Sequence, residues 1–571
     1  MDLSADLLLH NGRIWTGRGG RAAGPEPSVI AIRDGRIVGL GEASEAEHWL
    51  GAETRAVDLG GRRVIPGLVD SHLHAIRAGL SYLDELDWTE VRSLSEALQS
   101  VARAAERLRA GQWILALGGW HPARFVDEPR MPTRQELDAA SGDRPVFVHP
   151  VYGRDDFGVL STAALEALGW VGDCPDPAGG RLHRLPDGSP DGRLSGAFAY
   201  AAVTRQVLTP DAARAEESTR AFFARLAALG MTGVIDAGGL GMSPDKYRAV
   251  RAVWRRGELP LRVRTYLGAA LPGDEEAQLR QWQTFLDPSF GDELLSVLGA
   301  GEALHFGCHD WEGMDPFEMG EDAFRGLVRS LTTFAAQGWP VTVHAILDHS
   351  IGRILDAMEE VRAITPIEGL RWSLCHVECI GPENLRRVRE LGLALAVQDR
   401  IAHKQGVCAQ VWGERAVRNA PPLGDIVGLG IPFAAGTDGT RAASYNPWLS
   451  LWWLITGEAM DGGPRREERH RLDREAALDA YTRGSAWLSF EDDRRGTLRV
   501  GADADLAVLD EDYFAVPEER IPALSSLLTV VAGRVVHSSG ALAAVPVQPQ
   551  APRPGPARAP LAAAAEAAAA S

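Results

Sequence analysis

The stretch "VIPGLVDSHLHA", residues 64–75, begins as an apolar run and ends in two histidines one residue apart. Side chains of an extended strand alternate between faces, so positions i and i+2 point the same way. Asp70, His72 and His74 therefore share one face, at the end of a strand whose Val64, Ile65, Leu68 and Val69 read as buried. Two imidazoles delivered to one point raise the question of what else arrives there.

Further along the chain, from about 215 to 490, helical stretches alternate with short apolar strands: "ESTRAFFARLAALG" then "MTGVIDAGG", "EDAFRGLVRSLTTFAAQG" then "PVTVHAI", "ENLRRVRELG" then "LALAVQ". Helix, glycine stop and β-branched strand in repetition predict a parallel barrel or doubly wound sheet. His344 ends "PVTVH", His376 ends "RWSLCH" and Asp438 ends "IPFAAGTD". In a (β/α)8 barrel the strand C-termini converge on one mouth, so four histidines and an aspartate face a common point there. Neutral imidazoles with a carboxylate suit zinc, at roughly 2.0–2.2 Å. Any one of these histidines alone reads as an ordinary strand-end residue; the set in barrel order does not.

The remaining sequence frames this barrel. Residues 1–62 and 491–542 carry short β-like runs separated by turn signals and are expected to pair into one small β-sandwich domain. Residues 63–79 form the first barrel strand, 80–214 an α+β insertion, and 215–490 the rest of the barrel. Residues 543–571 are a Pro/Ala-rich tail that cannot bury a core. The fold class is thus α/β, a TIM-type barrel with two appendages.

A net charge of -18 argues against nucleic-acid and anionic-membrane partners and leaves a small-molecule substrate. Five cysteines without a CxxC pair suit a reducing compartment, so a cytoplasmic protein is expected, with a homodimer as the candidate assembly. The apolar "PWLSLWWLIT" is about half the length that crosses a bilayer. Neither a P-loop nor a dinucleotide fingerprint occurs.

With these motifs the chain resembles the amidohydrolase superfamily, in the amidohydrolase family 3 group that includes N-substituted formamide deformylases. "VIPGLVDSHLH" looks like its first strand, "HAILDHSIGRILDAME" its fifth strand and helix, "LCHVECIGPENLRRVRELGLALAVQ" its strands 6 and 7, and "AAGTDGTRAASYNPW" its strand 8. Gly118, Gly119 and Trp120 also match a family signature. The resemblance implies that His72 and His74 bind a first metal, that His344 and His376 serve from strands 5 and 6, and that Asp438 is both ligand and proton shuttle. His376 polarises the scissile carbonyl if it is not a ligand. A bound divalent ion brings water near a pKa of about 7. The implied reaction is hydrolysis of a non-peptide C–N bond, amide or N-formyl. Deaminase, lactonase and esterase chemistry use the same site, and a non-catalytic scaffold is the alternative from another class.

The sequence departs from the family in two places. The segment 294–313 lacks the lysine whose carbamate bridges two ions in many members, and neither Lys246 nor Lys404, the two lysines of the chain, is placed to replace it. One ion is therefore favoured over two, with Glu302 the choice for a bridge and His305, Cys308, His309 and Asp310 in the same segment. In "GRDDFGVLSTAAL", Asp156 and Ser161 stand where the family carries a histidine and an asparagine. Trp120, Phe125, Trp311 and Trp448 are candidate pocket walls or packing residues, and Arg441 a candidate partner for a substrate carboxylate or a surface ion pair. His121 and His349 read as structural or surface histidines.

Overall fold

The computed structural model describes residues 4–17, 26–109, 111–152, 157–177, 180–196, 199–542 and 546–550. Eight parallel strands lie at its centre: β1 (Leu68–Leu73), β2 (Met231–Asp236), β3 (Arg262–Leu267), β4 (Leu295–Ala300), β5 (Thr342–Ala345), β6 (Ser373–His376), β7 (Ala394–Gln398) and β8 (Phe433–Gly436). They pair in the orders β1-β2-β3-β4 and β5-β6-β7-β8. Between β4 and β5 the Ala300 amide donates to Pro340 O at 2.9 Å. Between β8 and β1 the Asp438 amide donates to His72 O at 2.8 Å and the His74 amide to Gly439 O at 3.1 Å. Asp70 reinforces that seam: it accepts the His72 amide at 2.9 Å and the Thr437 hydroxyl at 2.8 Å. It is thus a strand-to-strand tie, although it shares its parity with the two histidines.

Ile235, Tyr266, Leu298, Cys375, Ala396 and Ala434, drawn from both sets of strands, pack together in the interior between them. Outside, helices such as Ala212–Ala228 and Asp348–Ile364 place Phe222, Leu226, Ile354 and Leu355 against the strands. Each such side chain contributes about 1.5–3 kcal/mol by leaving water.

The opening motif is two strands rather than one. Arg63–Pro66 pairs antiparallel with Leu506–Leu509 in a sheet of the chain's ends, and β1 begins only after Gly67. A Cβ at Gly67 would lie 2.1 Å from the Thr232 side chain, so the chain crosses from one sheet to the other where β2 presses against it. The chain's two ends supply two sheets: one holds Arg36–Gly41, Val29–Arg33, Leu7–His10 and Arg55–Asp58, the other Arg13–Ile14, Arg63–Pro66, Leu506–Leu509, Ser526–Val531 and Arg534–Ser538. Leu7, Ile30, Val64, Val508 and Leu528 share one apolar core between them.

The inserted segment carries a five-stranded sheet with the helix Leu94–Arg107 against it. Part of its Pro/Gly-rich run, read as loop, is a hairpin of Arg181–Arg184 and Pro190–Ser195; Asp187-Gly188, with Gly188 at φ 87°, is the turn signal that the prolines obscured. Gly118 sits at φ 72°, and a Cβ there would lie 2.3 Å from Thr440 O, so the Gly-Gly-Trp motif lets the insertion touch the loop after β8.

At the N-terminal ends of the strands lies a buried charged cluster. Arg262 Nε donates to Asp505 Oδ2 at 2.6 Å, Arg264 Nη2 to Glu491 Oε1 at 2.7 Å, and Arg494 Nη1 to Glu293 Oε1 at 3.1 Å. Arg495 pairs with Asp503 at 2.9 Å and also with Glu293 and Glu491. These contacts bind β3 to the returning C-terminal segment.

Candidate metal centre

At the opposite ends of the same strands, β1, β5, β6 and the residues after β4 and β8 converge. Glu302, two residues past β4, occupies the centre. Its Oε2 lies 3.1 Å from His376 Nε2, 3.2 Å from His344 Nδ1 and 3.5 Å from His72 Nε2, and its Oε1 lies 3.4 Å from His74 Nε2. Asp438 Oδ1 lies 3.0 Å from His74 Nε2 and 3.7 Å from His72 Nε2. His72, His74 and Asp438 form one group able to hold an ion, and His72, Glu302, Cys375 and His376 a second. The four histidines, Glu302 and Asp438 named from the sequence are therefore brought together.

Neighbouring carbonyls fix two of the imidazoles. His74 Nδ1 lies 2.9 Å from Gly238 O, and His344 Nε2 lies 2.7 Å from Trp311 O. These contacts fix which nitrogen of each ring is turned toward the centre. His72 Nε2 and His376 Nδ1 are buried without a hydrogen bond. Burial moves the His72 imidazole down to about 4, against the pull of Glu302 and Asp438, and holds His376 well below the ordinary range. Both rings are therefore neutral, the form in which histidine binds a metal. Burial raises Glu302, but the histidines around it prevail and keep it well below the carboxylate range; in Asp438 the bond to His74, with the His376 ring and the Arg400 guanidinium beside it, likewise outweighs burial. Neutral imidazoles around two ionised carboxylates are the donor set that a divalent ion fits.

Three residues here hold left-handed backbone: His376 at φ 77°, Asp438 at φ 59° and Trp311 at φ 47°. Each costs about 1–3 kcal/mol and persists because the surroundings over-determine it. For His376 the surroundings include Gln398, whose Oε1 accepts the His376 amide at 2.8 Å.

The proposed substrate residues fare differently. Trp311 stands beside the centre, its ring 5.9 Å from that of His344. Trp120 does not: it is fully buried in the insertion, stacked on Phe125 and packed edge-on to Trp88. Trp448 is equally buried and donates Nε1 to Leu229 O at 2.9 Å. Arg441 is neither open to substrate nor on the surface. At 3% exposure it donates to Glu85 at 2.5 and 2.6 Å, to Tyr200 Oη and to Leu117 O, holding the insertion to the loop after β8. Ser161 caps the helix Thr162–Ala167 and accepts the Val146 amide, which makes it a folding residue; Asp156 lies outside the described residues. His121 caps the short turn Pro122–Arg124, and exposed His349 reaches Phe317 O at 2.6 Å. Asp310 accepts the Ile346 and Leu347 amides. Cys308 and His305 serve the helix Glu321–Ala336 side, the Cys308 thiol donating to Ala323 O and His305 capping a short turn.

Two features escaped the sequence reading. Cys375, beside His376, comes within 3.7 Å of Glu302 Oε2. Arg400, Lys404 and Glu312 form a buried ion-pair set at the centre's edge, with Lys404 Nζ 2.9 Å and Arg400 Nη2 2.5 Å from Glu312 Oε2. Lys404 does not reach the place of a bridging lysine. The other lysine, Lys246, is well exposed on the turn Pro244–Tyr247.

Comparison with known proteins agrees with this geometry. N-substituted formamide deformylase of Arthrobacter pascens is 25% identical over 554 residues, 92% of this chain and 97% of that protein. Protein LONG AFTER FAR-RED 3 of Arabidopsis thaliana is 27% identical over 568 residues, covering 93% and 92%. The crystal structure of an uncharacterized metal-dependent hydrolase from Pyrococcus horikoshii OT3 superposes with a TM-score of 0.64 at 22% identity, covering 90% of this chain and 99% of that one, and shares its fold. The sequence model of the Amidohydrolase family matches residues 55–537, so this chain, whose histidines and carboxylates meet at the strand ends, belongs to the amidohydrolase family.

Proposed function

We propose that the protein is a zinc-dependent hydrolase of a non-peptide C–N bond, of amide or N-formyl type, working at the centre around Glu302. The observation that carries this reading is the convergence of four histidines and two ionised carboxylates, with His72 Nε2 and His376 Nδ1 left without a hydrogen bond. The two strand sets, bonded at both seams around one interior, support a (β/α)8 barrel; the shared core of the terminal sheets supports a β-sandwich domain of 1–62 and 491–542, with 80–214 as a covering insertion. A small-molecule substrate and a cytoplasmic setting belong to the same reading, consistent with five free thiols. Among the described residues no helix is long and apolar enough to cross a membrane.

His72, His74 and Asp438 would hold one ion, and His344 and His376 a second, with Glu302 reaching both pairs. That reach favours two ions, against the single ion expected from the missing lysine. Bound there, the metal supplies Lewis acidity, which makes water a nucleophile at neutral pH and polarises a carbonyl. Asp438 accepts a proton from the attacking water and returns it to the leaving nitrogen. Gly238 O and Trp311 O, bonded to the outward ring nitrogens of His74 and His344, fix which nitrogen of each ring faces the centre.

Elemental analysis of the purified protein, with His72→Ala/His74→Ala and Glu302→Ala beside it, tests the centre. Two zinc ions per chain, with loss in both variants, are expected; no bound metal in the wild type overturns the reading. Product analysis for formate, ammonia or free amine then separates deformylation from deamination, and an oxygen ester as sole substrate would exclude C–N chemistry.

A further inference from the structure

Cys375 is the penultimate residue of β6 and is 0% exposed, packed in the interior with Ile235, Tyr266 and Leu298. Strand parity would send it and His376 to opposite faces. Instead Cys375 Sγ lies 3.7 Å and His376 Nε2 3.1 Å from the same oxygen, Glu302 Oε2. The left-handed backbone of His376, at φ 77°, breaks the alternation at the strand's end. One strand thus delivers a sulfur and a nitrogen to one carboxylate oxygen.

A buried cysteine ordinarily acts as a small apolar residue, and Cys308, whose thiol donates to the helix carbonyl of Ala323, is such a case. Cys375 differs in its company. Its Sγ, a Glu302 oxygen and ring nitrogens of His376 and His72 all lie within 4.8 Å of one another. His72, 1% exposed, brings to this group an Nε2 that has no hydrogen bond. No other cysteine falls in such a group among the described residues. A tetrahedral zinc ion holds a sulfur at about 2.3 Å and a carboxylate oxygen at about 2.0–2.2 Å, which sets those two donors about 3.5–3.7 Å apart. The 3.7 Å from Cys375 Sγ to Glu302 Oε2 suits two ligands of one ion as well as a thiol bonded to a carboxylate.

We propose that Cys375 is a further ligand of the centre, giving a thiolate to the ion that Glu302 and His376 hold. The inference rests on the hydrolase reading above. When the ion binds, the S–H bond breaks, the sulfur keeps the electron pair and shares it with the ion, and the proton passes to solvent. A soft thiolate selects zinc over magnesium and manganese, which carboxylates suit.

The test uses the full-length protein with cobalt(II) in place of zinc. A thiolate on cobalt(II) gives an intense near-ultraviolet charge-transfer band that nitrogen and oxygen ligands do not, while weak visible bands report that the ion is bound. Wild type is expected to show both, and Cys375→Ser to lose the charge-transfer band. Chelator competition should show zinc bound at least about tenfold more weakly in Cys375→Ser, the scale on which even an outer partner of a ligand counts. Serine keeps a hydroxyl able to donate to Glu302, so equal affinity would leave Cys375 a hydrogen-bond donor and overturn the proposal. Visible bands without the charge-transfer band in wild type, or a charge-transfer band that survives Cys375→Ser, also overturn it. If the variant does not fold, zinc-edge X-ray absorption of the wild type decides: a sulfur neighbour at about 2.3 Å supports the thiolate, and a shell of nitrogen and oxygen alone overturns it. In each of these negative outcomes metal is still bound and the hydrolase reading stands. Failure of wild type to bind either metal overturns both.

Discussion

The two ends of the central strands bury charge in opposite ways. At the N-terminal ends, Arg262, Arg264 and Arg495 meet Asp505, Glu491 and Asp503 in direct pairs of 2.6–2.9 Å. At the C-terminal ends, imidazoles surround Glu302 and Asp438 at 3.0–3.7 Å, and ring nitrogens of His72 and His376 stay unpartnered. One cluster is complete within the protein. The other has lone pairs and anions in excess, an arrangement that only a cation from outside completes. Buried charge by itself therefore does not mark a functional site; what marks it is the sign and the surplus of what is left unmatched.

The hardest way to break this contrast is to empty the metal end. His72→Ala/His74→Ala should lower kcat/KM by at least about 10^3-fold with loss of zinc, while thermal unfolding of the metal-free protein moves little. A fall in the metal-free melting temperature comparable to that of a core deletion would mean that these histidines hold the fold. The reverse experiment is Arg495→Met, which strands several carboxylates. It should cost about 3–5 kcal/mol, read as a lower unfolding midpoint, and leave zinc content as in wild type.

Acid titration sharpens the difference. Burial raises Glu293, but Arg495, Arg494 and Arg262 hold it at about 2, below the ordinary 4.5. A carboxylate depressed in the folded state gives stability that is fully present above its unfolded pKa and lost as pH falls through the folded one. Stability should therefore drop between about pH 4.5 and 2, and Glu293→Gln, less stable at neutral pH, should show a shallower drop across that window. Identical slopes in the two proteins would remove Glu293 from the account. The smallest effect is expected at Ser161→Ala, which deletes a helix cap for about 1 kcal/mol and should change kcat/KM by less than about twofold. A larger change would return Ser161 to the substrate site.

What was legible in the sequence follows from the same physics. His72, His74, His344, His376 and Asp438 could be read because each ends an apolar, β-branched run, and parity or position then fixes where its side chain goes. Glu302 was harder, since it lies two residues past β4 in "GAGEALHFGCHD", where no periodicity chooses among five candidate donors. β3 was not singled out because Arg262 and Arg264 interrupt its apolar pattern; the carboxylates that permit them lie more than 220 residues away. Arg400 was missed for a related reason: its partners Glu312 and Asp438 are brought near by the fold alone. Trp120 went wrong in the other direction, a motif residue whose neighbours Trp88 and Phe125 make it core.

The scarcity of lysine has a practical sequel. One of the two lysine side chains is 1% exposed and locked between Glu312 and Tyr152, and the other, Lys246, is 43% exposed. Apart from an amino terminus, amine-reactive reagents thus meet a single open side chain, on the turn that precedes the helix Arg248–Arg255. A dye, a spin label or a solid support would attach there in one orientation, without any engineered tag.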